Sequence, residues 1–149
     1  MDDVTFMRAA LKEAAKVAVK GEVPVGAVIV RAGRVVSRGS NNPVKSSDPT
    51  AHAEIVALRK AARKAGNYRL PDCDLYVTVE PCAMCLGALV QARIRRLVFG
   101  AHDLKAGAVT SIMKFPFERA NHRPEVLGGV LADECARLLR DFFRARRKK

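Results

Sequence analysis

Apolar positions along the chain alternate between helical and strand-like spacing. Val4, Met7, Ala10, Leu11, Ala14, Ala15 and Ala18 recur every three or four residues, predicting an amphipathic helix capped by Asp2 or Asp3 and ended by Gly21. Val25–Val30 and Arg34–Arg38 read as short strands, and Ala32-Gly33 between them is a hairpin signal. Ser40–Pro49 is polar and rich in Asn, Ser and Pro, so it reads as a loop. A second helix starts near His52 and runs to about Ala65, where Gly66-Asn67 closes it. Leu75–Val79 is a strand that leads into Pro81 and a third helix. Arg95–Phe99 is another strand, with Gly100 as a break. Residues 101–124 show no sustained period beyond one helical turn around Ser111–Phe115. Val126-Leu127 is a short last strand, and Ala132–Arg147 an amphipathic helix that buries Leu131, Cys135, Leu138, Leu139, Phe142 and Phe143.

This order of elements predicts an α/β fold in which helices sandwich a sheet. No repeat, linker or low-complexity run divides the 149 residues, so 1–149 reads as one domain, large enough to bury a core without disulfides. Ligands of such folds bind beyond the carboxyl ends of the strands, which is where Glu80–Cys85 falls.

That position carries chemistry. Thr50-Ala51-His52-Ala53-Glu54 and, thirty residues on, Glu80-Pro81-Cys82-Ala83-Met84-Cys85 together supply one imidazole, two thiols and a spare carboxylate. Zinc favours four ligands, and a catalytic zinc reserves one for water, so His52, Cys82 and Cys85 with a non-ligating Glu54 describe hydrolytic chemistry. Pro81 is suited to the first helical position, which places Cys82 and Cys85 on one face of the first turn, where the positive end of the helix favours thiolates. On an ideal helix residues 52 and 54 point roughly 200° apart, so both address one site only if His52 sits at the helix edge or one side chain bends back. The bland alternative is a structural zinc clip; it lacks an evident fourth ligand, with Cys73 and Cys135 the only spare cysteines. The combination His-x-Glu with Pro-Cys-x-x-Cys is the signature of zinc-dependent nucleobase deaminases.

Charge and cysteine usage narrow the setting. Four cysteines, two of them in the metal motif, fit a reducing compartment. The acidic start Met1-Asp2-Asp3 lacks the apolar core of a signal peptide, and no apolar run approaches the ~20 residues of a membrane span. The chain therefore reads as cytoplasmic with no membrane partner. The net charge of +12 favours a polyanionic partner. Half of it lies in residues 137–149, where seven cationic side chains face Asp141 alone, ending in a basic tail at about 144–149.

The chain resembles the bacterial tRNA-specific adenosine deaminases of the cytidine deaminase superfamily over nearly its whole length. The resemblance rests on Glu22–Ala27, Asp48–Ile55, Asn67–Leu70, Leu75–Cys85, Val98–Ala101, Asn121–Arg123, Leu131–Cys135 and Asp141–Arg144. It implies a three-layer α-β-α sandwich of the cytidine deaminase-like type with a central mixed five-stranded sheet of order 2-1-3-4-5. It also implies a homodimer that converts the wobble adenosine of a tRNA anticodon stem-loop to inosine, in the arginine tRNA with an ACG anticodon. By the same resemblance His52, Cys82 and Cys85 bind one Zn²⁺ per subunit and Glu54 shuttles protons. Asn41 hydrogen-bonds the flipped nucleotide, Ala53 offers its backbone N–H, Val23 and Val25 wall the base pocket, and Asp103 lies near the ribose.

Each of these substrate contacts has a plainer reading. Asn41-Asn42-Pro43 also fits an Asx-turn, Val23 and Val25 also fit a core, and Asp103 also fits a loop cap. Of Phe142 and Phe143, one reads as core and the other as a platform for a base. Two segments depart from the family pattern: Asn42–Ser47 lacks its arginine and histidine, and residues 113–120 match poorly. The enzymatic rival is a free-base or nucleoside deaminase acting on guanine or cytosine, for which a basic tail has no use. The non-enzymatic rival is an RNA-binding module that keeps the zinc, for which Glu54 has no use.

Overall fold

The computed structural model describes residues 2–147. Helix α1 (Asp3–Ala18) is capped by Asp2, whose carboxylate accepts the Thr5 amide at 3.0 Å. The hairpin β1 (Gly26–Arg31) and β2 (Arg34–Ser40) follows, turning at Ala32 and Gly33, both of which have positive φ. A single-turn helix α2 (Pro43–Ser46) leads to α3 (Ala53–Ala65), then β3 (Cys73–Val79), α4 (Ala83–Ala92), β4 (Arg96–Ala101), β5 (Glu125–Leu127) and α5 (Ala132–Arg147).

The five strands form one mixed sheet of order β2-β1-β3-β4-β5. β1 is antiparallel to both neighbours, while β3, β4 and β5 run parallel. Alternation along the strands divides the core. Ala27, Ile29, Leu75, Val77, Leu97 and Phe99 face α3 and α4, where Ala57, Leu58, Leu86 and Leu89 meet them. Val28, Val30, Tyr76 and Val98 face the other way, onto Phe6, Met7 and Ala10 of α1 and Cys135 of α5. The result is the three-layer sandwich expected from the order of elements.

Helix α3 seats unusually close to β2. A Cβ on Gly39 would collide with the Ala53 carbonyl and stand 2.6 Å from the Ala57 amide nitrogen, so only glycine fits. At the far end of the sheet, Asp3 accepts both Arg96 guanidinium nitrogens at 3.1 Å and the Tyr76 hydroxyl at 2.6 Å, fixing the start of α1 to β3 and β4.

Four expectations are corrected. The buried stripe of α1 is Phe6, Met7, Ala10, Glu13, Ala14 and Val17, leaving Val4 and Ala15 exposed. So many positions of this helix are alanine that its apolar period does not select a face. Glu13 is tolerated there because Lys16 reaches its carboxylate at 2.7 Å. Gly100 is not a break but lies inside β4, where a Cβ would strike the Cys135 sulfur. The helical turn expected around Ser111–Phe115 is instead irregular chain, and a short 3₁₀ turn comes later at Phe117–Arg119. α5 packs on β4 and β3 and buries Cys135 and Phe142 alone; Leu131, Leu138 and Leu139 are half-buried and Phe143 is 42% exposed. Lys148 and Lys149 of the basic tail lie outside the described residues.

Candidate metal centre and nucleotide pocket

Two helix starts converge beyond the end of β3. Pro81 is not the first helical residue of α4, as expected, but precedes the cap. Cys82 occupies the N-cap with extended backbone (φ −79, ψ 173), and its carbonyl accepts the Leu86 amide at 3.0 Å. Cys85 is then the third helical residue, one turn above Cys82. His52 is the N-cap of α3, also extended (φ −69, ψ 154), with its carbonyl accepting the Val56 amide at 3.0 Å. The angular conflict between residues 52 and 54 disappears, since His52 is not part of the helix. Glu54, the second helical residue, turns into the same space.

The His52 Nδ1 lies 3.6 Å from each sulfur, and one donor atom from each of His52, Cys82 and Cys85 falls within 4.8 Å of the other two. Three soft and borderline donors so close together suit a shared metal ion. Their protonation is coupled. The Cys85 thiol donates to the Cys82 sulfur, which with His52 holds Cys82 down at about 4, and the same bond pushes Cys85 up. The neighbouring thiolate raises the His52 imidazole. Burial pushes Glu54, only 4% exposed, up to about 7.

A cavity of about 170 Å³ opens over these groups. Val23, Val25, Asn41, His52, Glu54, Cys82 and Asp103 all line it, so the structure gathers most residues singled out from sequence. Asn41 is set by its amide donating to the Val25 carbonyl at 3.0 Å. Ala53 stands apart: it is fully buried beneath the cavity, its amide one of the first-turn donors that have no intrahelical acceptor. Asp103 lines the wall and also caps its own loop, its Oδ1 accepting the Lys105 and Ala106 amides at 3.0 and 3.2 Å.

Sequence reasoning missed two buried carboxylates beside the cavity. Glu22 accepts the Val44 and Lys45 amides at 3.2 and 2.8 Å, capping α2 in place of Asn42, whose side chain makes no such bond. Glu80, a cavity residue only 2% exposed, gathers the donors of residues 102–111. Those bonds hold its carboxyl down at about 2 against the cost of its burial. The available signal was an acid ending an otherwise apolar strand.

Beside the cavity mouth runs a groove of about 390 Å³ lined by Lys105, Leu139, Arg140, Phe143, Arg146 and Arg147. It joins the mouth through the loop that holds Asp103, Lys105 and Ala106. Phe142 turns inward with the Arg146 guanidinium 5.3 Å over its ring, and Phe143 stands outward. No helix among the described residues is long and apolar enough to cross a membrane.

Residues 1–147 match the MafB19-like deaminase family. The tRNA-specific adenosine deaminase of Haemophilus influenzae is 50% identical over 149 residues, 99% of this chain and 86% of that one. The enzyme of the same description from Agrobacterium fabrum is 48% identical, covering 95% of this chain and 94% of its own. Among solved structures, a chain from a study of A-to-I editing by tRNA:A34 deaminases at the wobble position superposes with a TM-score of 0.87 at 47% identity, over 91% of this chain and 99% of that one. A guanine deaminase from Bacillus subtilis gives 0.66 at 36% identity, over 77% and 84%.

Proposed function

The chain belongs to the tRNA-specific adenosine deaminases, within the MafB19-like deaminase family, and on that premise we propose that it hydrolyses the wobble adenosine of a tRNA anticodon to inosine and ammonia, the arginine tRNA with an ACG anticodon being its substrate. It is an enzyme that deaminates adenosine in tRNA. One observation carries the reading: three metal donors and a buried carboxylate lie together at a small cavity, and the loop that lines it also lines a basic groove with an exposed aromatic ring. The guanine deaminase structures superpose less closely and at lower identity than the tRNA deaminase structure, and a neutral free base has no need of that groove.

We assign the metal as zinc, one per subunit, held by His52 Nδ1, Cys82 Sγ and Cys85 Sγ. Tetrahedral bonds of about 2.3 Å to sulfur and about 2.0–2.1 Å to nitrogen separate the two donors by about 3.6 Å. The separations of 3.6 Å from His52 Nδ1 to each sulfur support that fit. When bound, the zinc supplies a Lewis acid that lowers the pKa of water toward ~7.

Glu54 then does the proton work. Its carboxylate takes a proton from the attacking water and passes it to the purine ring nitrogen. It then takes the remaining hydroxyl proton of the adduct and passes it to the departing amine as the C–N bond breaks, so water and adenosine balance to inosine and ammonia. Its burial at the cavity beside the metal donors places this one carboxylate where it can accept and donate in one cycle. Asn41 hydrogen-bonds the nucleotide, Val23 and Val25 exclude water from the base, the Ala53 amide supplies a donor at the helix start, and Asp103 faces the ribose. An anticodon loop suits this pocket because flipping an unpaired base costs least. The whole chain, 1–149, acts as one catalytic domain, pairs with a second copy as a homodimer, and works in the cytoplasm where its tRNA is.

The test is an inosine assay on zinc-loaded protein with the ACG arginine tRNA, alongside guanine, cytosine and cytidine. Wobble inosine with no ammonia from the small substrates supports the reading. Ammonia from a free base over an untouched tRNA overturns it.

A further inference from the structure

Glu80 sits where β3 ends, two residues before Cys82, with its carboxylate inside the protein. All of its partners come from one segment. Oε1 accepts the Asp103 amide at 3.2 Å, His102 Nδ1 at 3.1 Å and the Ser111 hydroxyl. Oε2 accepts the backbone amides of Val109, Thr110 and Ser111 at 2.9, 2.9 and 3.2 Å. A carboxylate offers about four lone-pair sites, so six donors saturate it, and bonds to an ionised acceptor are roughly twice as strong as neutral ones.

The segment is wrapped around this one group. Gly107 passes so close that a Cβ there would collide with the carboxyl of Glu80. The Ala108 amide donates to the Pro81 carbonyl at 2.9 Å, next to the same anchor. Apart from this anchor, Ala108 and Val109 pack into the core and Asp103 caps the turn at Lys105 and Ala106, while His102, Leu104, Lys105, Ala106 and Thr110 are exposed and the loop forms no helix or strand. Yet it supplies Asp103 and Ala106 to the cavity and Lys105 to the basic groove.

We propose that Glu80 is a positioning residue for tRNA binding: it clamps residues 102–111 so that Asp103, Lys105 and Ala106 stand at a fixed place over the cavity. Because residues 80–82 carry both the clamp and a metal donor, the substrate-binding wall and the metal centre are placed by the same three residues. The inference rests on the tRNA reading above. It requires a carboxylate specifically. A glutamine at 80 turns an NH₂ donor toward one of the two trios of donors, so half the clamp becomes repulsive.

Glu80→Gln and Ser111→Ala are compared with wild type for metal content, amide hydrogen exchange without RNA, and kcat and KM on tRNA. The expected result for Glu80→Gln is one metal per chain, faster exchange at Val109–Ser111, and a KM raised about 10–100-fold with kcat changed far less, since a loosened wall costs orientation and not proton transfer. Ser111→Ala, which removes one bond and leaves the charge, shows the same pattern in smaller degree and serves if Glu80→Gln does not fold. Faster exchange with unchanged KM would make Glu80 a structural staple alone and overturn the proposal, as would unchanged exchange. If wild type fails to turn over tRNA, the substrate reading falls while the exchange data still decide the clamp.

Discussion

His52 and Cys82 each occupy a helix N-cap, and their Nδ1 and Sγ atoms lie 3.6 Å apart. Neither side chain bonds its own helix start. A Ser, Thr, Asp or Asn in either place would add about 1 kcal/mol of capping. The two capping positions of α3 and α4 are occupied instead by side chains that could hold a metal.

Metal removal is therefore expected to lower thermal stability as well as activity. Chelator-treated protein should melt at a lower temperature than zinc-loaded protein, with the gap widening as free zinc rises, by mass action. Cys82→Ala should abolish that zinc dependence. A melting temperature indifferent to zinc would contradict the assignment.

Glu54→Ala is expected to reduce turnover on tRNA by at least about 10²–10⁴-fold while metal content and RNA affinity persist. Single-turnover inosine formation, zinc analysis and a binding titration on the same preparation separate these effects. Loss of zinc together with activity would place Glu54 among the ligands.

The stability contributed by Glu80 is expected to fade in acid. Its folded carboxyl titrates at about 2 against 4.5 ordinarily, so the folded state prefers the ionised form. The contribution is full above about pH 4.5 and is lost as pH falls toward 2. Urea melts of wild type and Glu80→Ala across that range should converge at the acid end. A constant difference would show that the carboxylate's charge is not what stabilises.

The two adjacent phenylalanines should separate cleanly. Phe142→Ala empties a buried site and lowers the melting temperature, at a cost of about 3 kcal/mol for a core aromatic. Phe143→Ala leaves the melt unchanged and weakens tRNA binding by about 1–3 kcal/mol if a base stacks there. Binding isotherms at several salt concentrations check the groove as well. Removing Arg146 and Arg147 should flatten the salt dependence.

Regular elements and the metal motif were legible because each has a local cause. The hairpin at Ala32-Gly33, the cap at Asp2 and the donor spacing of Cys82 and Cys85 follow from neighbouring residues. The failures share a different cause. Gly100 looks like a strand breaker until Cys135, thirty-five residues later, fills the space its missing side chain leaves. Residues 102–111 have no period because contacts distant in sequence set their conformation, the Glu80 carboxylate and the core that buries Ala108 and Val109. Glu22 carries no signal of its role, since a buried acid and an exposed one are written with the same letter, and Glu80 is marked only by ending an otherwise apolar strand.

Gly39 ties the candidate metal centre to the sheet. It seats α3, and so His52, on β2, an edge strand, while Cys82 and Cys85 follow from β3 on the far side of β1. A methyl group at position 39 would push the start of α3 off the sheet, carry His52 away from the two sulfurs and weaken metal binding without touching a donor.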